Sequence, residues 1–193
     1  MRICSDDTLR TEASVLALGM FDGVHIGHQA LLKQARALAD RYGVPLVVMT
    51  FDRHPLSVIA PAMAPPMLTT AQERMRLIEA QGADVVCVSR FTEAVRDISP
   101  ERYADMLVAR WHPKAVVIGY NYHFGRHGKG TPDTMRILGE AAGFETVVVP
   151  EVRLRGETVS STRVRQLLAG GDAAEAEKLL GHPLRDGKQE TKA

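Results

Sequence analysis

The sequence predicts an α/β fold: a doubly wound parallel sheet of about five strands with helices on both faces. Short apolar runs rich in β-branched residues recur along the chain, and segments with helical spacing separate them. Each apolar run is continuous and does not alternate with polar residues, which suits a strand buried on both faces. Strand and helix therefore alternate, as they do in Rossmann-like folds.

The elements follow in order along the chain. Predicted strands cover residues 15–20, 44–51, 85–89, 115–120 and 144–150. Predicted helices cover residues 29–42, 71–81, 100–111 and 132–142, with two more starting near Ser161 and at Asp172. Gly43, Gly82 and Gly143 follow the first, second and fourth helices, where a chain commonly leaves a helix in the left-handed conformation.

Length and charge limit the class of protein. The 193 residues predict one domain over residues 1–183 and a polar, mobile tail over 184–193. The formal net charge of +1 gives no overall field for nucleic acid or a membrane surface, and no apolar run approaches the ~18 residues that cross a bilayer. Cys4, in a polar leader, and Cys87, in an apolar run, are expected to be free thiols. We therefore expect a soluble, cytoplasmic protein with small-molecule partners; its oligomeric state stays open.

Ligands of open parallel sheets bind beyond the carboxyl ends of the strands, so the loops there are the candidate sites. The first, residues 19–28, reads Gly-Met-Phe-Asp-Gly-Val-His-Ile-Gly-His. Gly23 and Gly27 let the backbone approach a bound group, and the free amides at the start of the next helix bind anions. His25 and His28 would share one helix face, where imidazoles can donate hydrogen bonds to phosphate oxygens.

Other interpretations of this loop exist. It could be a tight turn whose histidines only cap the helix. Two histidines without a cysteine cluster make a poor zinc site. The loop matches neither GxxxxGK[ST] nor GxGxxG, which disfavours a P-loop and a dinucleotide redox enzyme.

The second loop, residues 50–55, ends in His54-Pro55. Proline cannot continue a strand ladder, so the pattern by itself indicates a rigid turn.

The third loop, residues 119–130, combines four glycines with aromatic and cationic residues. Aromatic faces can stack on a planar ring, and the Asn121 amide offers both a donor and an acceptor. A glycine-rich surface loop is the alternative.

The fourth loop, residues 159–165, reads Val-Ser-Ser-Thr-Arg-Val-Arg. Its hydroxyls would cap a helix, whereas arginines in a first turn are electrostatically unfavourable unless something negative, such as a triphosphate, offsets them. A simple N-cap is the alternative.

These segments together resemble a known family. Gly-x-Phe-Asp-Gly-Val-His-x-Gly-His is similar to the signature of the HxGH nucleotidyltransferases, and its Phe-Asp-Gly-Val part resembles the FMN adenylyltransferase module of bacterial FAD synthetases. The second loop resembles the family's Pro-His-Pro segment, with Arg53 in place of the first proline. The third resembles Gly-x-Asp/Asn-Phe-x-Phe-Gly, with Tyr122 in place of the first phenylalanine, and the fourth resembles Ile-Ser-Ser-Thr-x-Ile-Arg.

The resemblance implies adenylyl transfer from ATP to FMN, giving FAD and pyrophosphate, with Mg²⁺ held mainly by substrate phosphates and no direct protein ligand. The implied catalytic residues are His25, His28, Asn121 and Arg165. The implied ATP-binding residues are Phe21, Asp22, Gly23, His25, Gly27, His28, Gly119, Ser161, Thr162 and Arg165. The implied flavin-binding residues are Phe51, His54, Pro55, Asn121, Tyr122 and Phe124. A riboflavin kinase domain, which often follows this module in relatives, is not expected here.

Two other functions stay open. One is a nucleotidyltransferase of the same fold with a different phosphorylated acceptor, such as phosphopantetheine or a sugar or polyol phosphate. The other is a catalytically idle nucleotide- or flavin-binding protein.

Overall fold

A computed structural model of the chain describes residues 1–5 and 9–184. The strands are β1 (Arg2–Ser5), β2 (Ser14–Leu18), β3 (Leu46–Phe51), β4 (Val85–Ser89), β5 (Pro113–Gly119), β6 (Glu145–Val149), β7 (Arg153–Leu154) and β8 (Glu157–Thr158). The helices are α1 (Ile26–Tyr42), α2 (Leu56–Ile59), α3 (Ala71–Ala80), α4 (Glu93–Arg96), α5 (Pro100–Trp111), α6 (Pro132–Ala142), α7 (Ser161–Ala169) and α8 (Ala173–Leu180).

Six strands of the described chain form one parallel sheet in the order β1-β4-β3-β2-β5-β6. From the central β2, the chain winds outward first through β3 and β4 and later through β5 and β6. The winding direction therefore reverses between β2 and β5, and a crevice opens at such a switch point beyond the strand ends. The predicted fold class is confirmed.

Both faces of the sheet are buried, which explains the continuous apolar runs. In β2, Val15 and Ala17 pack with α1 residues such as Leu32, whereas Leu16 and Leu18 pack on the other face with Trp111 of α5. Successive side chains point to opposite faces of a strand, so a strand covered on both sides must be apolar at every position. A third cluster joins α7 to α8.

The sheet has one strand more than the five predicted. Cys4 does not lie in a polar leader but in the edge strand β1, where it is 7% exposed and in register with Cys87 of β4. The strand is hard to detect because it is short and its Ile3 is 58% exposed. Both thiols are free and buried, and burial raises the pKa of Cys87 to about 12. The β7–β8 hairpin and the short helices α2 and α4 were also not predicted.

At the end of the described chain, Leu184 packs against the α7–α8 cluster, and its N–H donates to Glu177 Oε1 at 2.8 Å. The rest of the predicted tail, residues 185–193, lies outside the described residues. None of the helices in the described chain is long and apolar enough to cross a membrane.

Candidate active site

The loop between β2 and α1 is a strained turn. The Val24 N–H donates to the Phe21 carbonyl at 3.2 Å, and Phe21, Gly23 and Val24 have φ angles of 51°, 78° and 37°. A left-handed φ is uncommon for phenylalanine and an outlier for β-branched valine, and such strain collects at functional sites. At Gly23 a Cβ would also lie 2.9 Å from Leu68 Cδ1, so only glycine fits there.

Asp22 holds this loop in place from inside the protein. Its carboxylate is 1% exposed and accepts hydrogen bonds from the Leu68 N–H at 3.0 Å, the Thr69 N–H at 3.2 Å and the Thr69 hydroxyl at 3.2 Å. It also pairs with the guanidinium of Arg165. Four donors around a buried carboxylate satisfy its lone pairs, as burial of a charge demands.

His25 caps the first turn of α1. Its Nδ1 accepts a hydrogen bond from the His28 N–H at 3.2 Å, so in the neutral ring the proton sits on Nε2. Gly27 makes room for this ring, because a Cβ there would lie 3.1 Å from the imidazole. The cap thus fixes one tautomer, with an N–H donor on the side of the ring away from the helix.

The two imidazoles form a stack. The ring centroids of His25 and His28 are 3.7 Å apart with an interplanar angle of 13°, and Phe21 packs edge-on against His28. Burial lowers the pKa of His25 from 6.5 to about 4, and burial together with the neighbouring His25 lowers the pKa of His28 well below its usual value. Both rings are therefore neutral at pH 7. The buried Nδ1 of His28 has no hydrogen-bond partner within the described chain.

The start of α7 faces this stack. Ser160 caps the helix, and the Ser161 hydroxyl donates to the Asp22 carbonyl at 2.9 Å. Arg165 Nε donates to the Pro66 carbonyl at 2.7 Å while another of its nitrogens contacts Asp22. The negative group that offsets Arg165 in this structure is therefore a protein carboxylate. Arg163 pairs in the same way with Glu157 at 2.5 Å.

These elements enclose a cavity of about 250 Å³ at the carboxyl ends of β2 and β5. Ten of the predicted site residues lie in its wall: Asp22, His25, Gly27, His28, His54, Gly119, Asn121, Ser161, Thr162 and Arg165. The four loops that are far apart in the sequence therefore meet at one place, the switch point of the sheet.

His54 enters the wall from the β3 side. Its Nδ1 accepts from the Leu56 N–H at 3.1 Å, so its neutral ring also carries the proton on Nε2. Burial, and secondarily the charge of Arg165, lower the pKa of His54. Asn121 enters from the β5 side, and its Oδ1 lies 3.3 Å from the place that a Cβ on Gly119 would occupy.

Six predicted site residues lie outside the wall: Phe21, Gly23, Phe51, Pro55, Tyr122 and Phe124. Phe21 is fully buried behind His28, and Phe51 packs edge-on against Phe91 with centroids 5.0 Å apart. Pro55 precedes the first turn of α2. Phe21 and Gly23 thus act on the cavity through the shape of the loop.

In the third loop the aromatic rings divide between core and surface. The Tyr122 hydroxyl lies 3.1 Å from the Tyr103 hydroxyl, and Phe124 is 6% exposed against Tyr103 and Gly130. Their contact with a flavin stays a prediction. Tyr120 is the ring that reaches the wall, where it is 43% exposed. The family resemblance implies flavin contacts for the rings at 122 and 124, whereas the tight turn after β5 directs the ring at 120 outward.

Glu151 is a second residue of the cavity wall that belongs to none of the sequence motifs. Its carboxylate accepts from the Thr158 hydroxyl at 2.8 Å and from Arg153 Nε at 2.6 Å, and these two bonds lower its pKa. The carboxylates of Asp22 and Glu151 are thus both engaged with protein donors. Among residues 1–5 and 9–184, no three histidine, cysteine, aspartate or glutamate side chains are grouped as a metal site.

The family model for FAD synthetase matches residues 7–163, which include the histidine stack and the capped start of α7. The chain belongs to the FAD synthetase family. Similar curated proteins are the bifunctional riboflavin kinase/FMN adenylyltransferases of Listeria monocytogenes, 34% identical over 170 residues, and of Bacillus subtilis, 35% identical over 172 residues. The Escherichia coli K12 protein of the same description is 35% identical over 173 residues.

The chain spans about half the length of those relatives. The alignments cover 88% of the chain but 54% of the Listeria and Bacillus proteins, and 89% of the chain but 55% of the Escherichia coli protein. A crystal structure described as a macrolide-efflux protein from Streptococcus pneumoniae is also similar, with a TM-score of 0.80 and 29% identity. That match covers 95% of this chain and 61% of the other.

Proposed function

We propose that this chain transfers the adenylyl group of ATP to the phosphate of FMN, releasing pyrophosphate and forming FAD. The observation that carries the proposal is the meeting of two anion-binding elements in one cavity: the neutral stack of His25 and His28, and the start of α7 with Ser161 and Arg165. The names of the bifunctional relatives support this acceptor.

The reaction joins two anions and needs no covalent enzyme intermediate. A phosphate oxygen of FMN attacks the α-phosphorus of ATP, a new P–O bond forms, and the bond to the β-phosphate oxygen breaks with its electrons on pyrophosphate. The protein's contribution is to hold both partners in line and to stabilise the charge that moves onto the departing oxygen.

The histidine stack suits this task because its rings are neutral donors. His25 presents Nε2–H, and the amides of the first turn of α1 add further donors for phosphate oxygens. With a pKa of about 4, His25 stays neutral from pH 6 to pH 8, and the pKa of His28 is also well below its usual value, so both rings keep the same donors over this range. His28 lies over the same turn and would donate to the transferring phosphate.

The start of α7 suits the β- and γ-phosphates. Pro66 and Asp22 hold Arg165 through Nε and Nη2, and its remaining N–H groups can donate charged hydrogen bonds to a phosphate, while the Thr162 hydroxyl and the amides at the start of the helix add further donors. Because the carboxylates of Asp22 and Glu151 are already engaged, we propose that Mg²⁺ enters with ATP as part of the substrate, held by phosphate oxygens and water. On the acceptor side, His54 and Asn121 flank the stack from β3 and β5.

The test mixes the purified chain with ATP, Mg²⁺ and FMN and follows FAD by chromatography and pyrophosphate by a coupled assay. We expect both products in equal amounts, and none with riboflavin, which lacks the acceptor phosphate. Pyrophosphate release with phosphopantetheine or a sugar or polyol phosphate, but not with FMN, would reassign the acceptor. ATP binding without pyrophosphate release in any mixture would indicate an idle nucleotide-binding protein.

A further inference from the structure

Arg74, in the first turn of α3, is a buried cation that belongs to none of the sequence motifs. Its side chain is among the largest that are fully buried, with 1% exposure. Guanidinium groups remain protonated in proteins, so a full positive charge is held inside the domain. Arginine is almost never buried to this degree unless it is paired.

The pairing of this guanidinium is incomplete. Nη2 donates to the Phe51 carbonyl at 2.7 Å, whereas Nε and Nη1 are buried and have no hydrogen-bond partner in the described part of the chain. The carboxylates of Asp22 and Asp52 act on the group through their charge, yet neither makes a hydrogen bond with it in the structure. Unsatisfied buried donors cost stability, so packing alone does not explain an arginine at this position.

The hydrogen bond from Arg74 acts at the point where β3 ends and the loop of His54 begins. Phe51 is the last residue of β3, and the chain then turns through Asp52 to His54 in the cavity wall. Parallel strands end with carbonyls that have no further ladder partner, and the bond from Arg74 holds this one. Asp52 accepts from the Phe91 N–H at 3.0 Å, which ties the turn at its next residue.

The same short segment also holds the first loop. Leu68 and Thr69 donate their backbone N–H groups to Asp22, and Arg74 follows in the helix that Thr70 caps. Residues 68–74 therefore connect the loop of the histidine stack with the loop of His54. The connection is short, and its two anchoring residues, Thr69 and Arg74, are buried, whereas the residues between them include exposed ones.

We propose that Arg74 is a positioning residue for the acceptor side of the site: by holding the Phe51 carbonyl, it sets where His54 stands relative to His25 and His28. The inference rests on the proposed function only for the identity of the acceptor. Arg74 itself would contact neither substrate and would act only through the Phe51 carbonyl.

The test compares Arg74→Met with Arg74→Lys in the full chain. Methionine fills similar space without a charge; it removes two unsatisfied buried donors but leaves the Phe51 carbonyl without this hydrogen bond, so we expect only a small change in Tm. Without this charged hydrogen bond the loop of His54 is less well positioned. The KM for FMN should therefore rise about ten-fold, whereas the KM for ATP should stay within about two-fold. Lysine keeps a cationic donor and should restore most of the FMN affinity.

Hydrogen exchange of the unliganded proteins gives a readout that does not need activity. In Arg74→Met, the backbone amides between residues 52 and 56, apart from Pro55, which has none, should exchange faster, while those of α1 and β2 should be unchanged. If the wild-type chain makes no FAD, the proposed function fails, but this exchange pattern still tests the positioning role. A large drop in the Tm of Arg74→Met, equal rises in both KM values, or unchanged exchange at 52–56 would overturn the proposal.

Discussion

The imidazole of His25 lies parallel to that of His28 at a centroid distance of 3.7 Å, on the N-terminus of α1. Two imidazolium ions could not stack so closely at the positive end of a helix, which agrees with the lowered pKa of both rings. A histidine pair of this kind works as a set of fixed neutral donors and not as a proton relay near pH 7. The chemistry proposed for the chain needs such donors.

Replacing His28 by alanine should keep the fold and lower turnover by about 10²-fold or more, because one preorganised donor to the transferring phosphate is lost. The measurement is the steady-state rate of FAD formation, with circular dichroism to check the fold. His28→Gln is the matched control, since its amide nitrogen can take the place of Nε2 and should recover part of the rate. Equal rates for His28→Ala and the wild type would reject the role.

His25 has two functions that two substitutions can separate. In His25→Asn, the side-chain oxygen can replace Nδ1 as the helix cap, but no donor reaches the position of Nε2. We expect near wild-type stability with turnover lowered about 10²-fold. His25→Ala removes the cap as well and should lose a further ~1 kcal/mol of unfolding free energy. Urea titrations and rate measurements on both variants check this, and full activity of His25→Asn would contradict it.

The buried stack predicts a loss of stability in acid. The unfolded chain protonates His25 near its ordinary pKa of 6.5, whereas the folded chain does so only near 4. Between these two pKa values the unfolded state binds more protons than the folded state. The free energy of unfolding therefore has its full value above pH 6.5 and falls as the pH drops toward 4. The slope is about 1.4 kcal/mol per pH unit for one such group. His28 and His54 act in the same direction.

Thermal melts at pH 7 and pH 5 measure this effect. His25→Asn lacks the titrating ring and should lose less Tm than the wild type over the same change. Parallel pH profiles for the two proteins would show that His25 is not buried in its neutral form.

Much of the fold and the position of the site could be predicted from the sequence, because both depend on local patterns. Continuous apolar runs marked five of the six strands of the parallel sheet, and the carboxyl-end rule brought ten of the predicted residues into one wall. The direction in which individual side chains point was harder to predict. Tyr120 and Tyr122 are two residues apart, yet the ring of Tyr120 is exposed whereas the ring of Tyr122 is partly buried and packs against the core. The partner of Asp22 and the burial of Arg74 depend on contacts between distant segments, which no local pattern encodes.

The ion pair of Arg165 with Asp22 joins stability to ATP binding. Arg165→Met leaves Asp22 buried without its direct cation and should cost roughly 2 kcal/mol, below the usual range because three hydrogen-bond donors remain. It should also weaken ATP binding more than about ten-fold with little change for FMN. Urea titration and calorimetry measure the two effects.

The double variant Asp22→Asn with Arg165→Met separates the effect on stability from the effect on ATP binding. Removing the second charge should restore part of the lost stability, since no buried carboxylate is left uncompensated, but it should not restore ATP binding. If ATP affinity returned with stability, Arg165 would serve the fold and not the triphosphate.

Tyr120 is expected to stack on the adenine of ATP. Its N–H donates to the Val149 carbonyl at 2.9 Å, which sets the ring beside the end of β6, on the opposite side of β2 from His54. A half-exposed ring that stacks on a base contributes about 1 kcal/mol, so Tyr120→Ala should weaken ADP binding roughly five-fold and leave FMN binding nearly unchanged. Tyr120→Phe keeps the aromatic face and should bind like the wild type. Calorimetry with each ligand decides the assignment, because a selective loss of FMN affinity would place the flavin, and not adenine, on the β5–β6 side of the cavity.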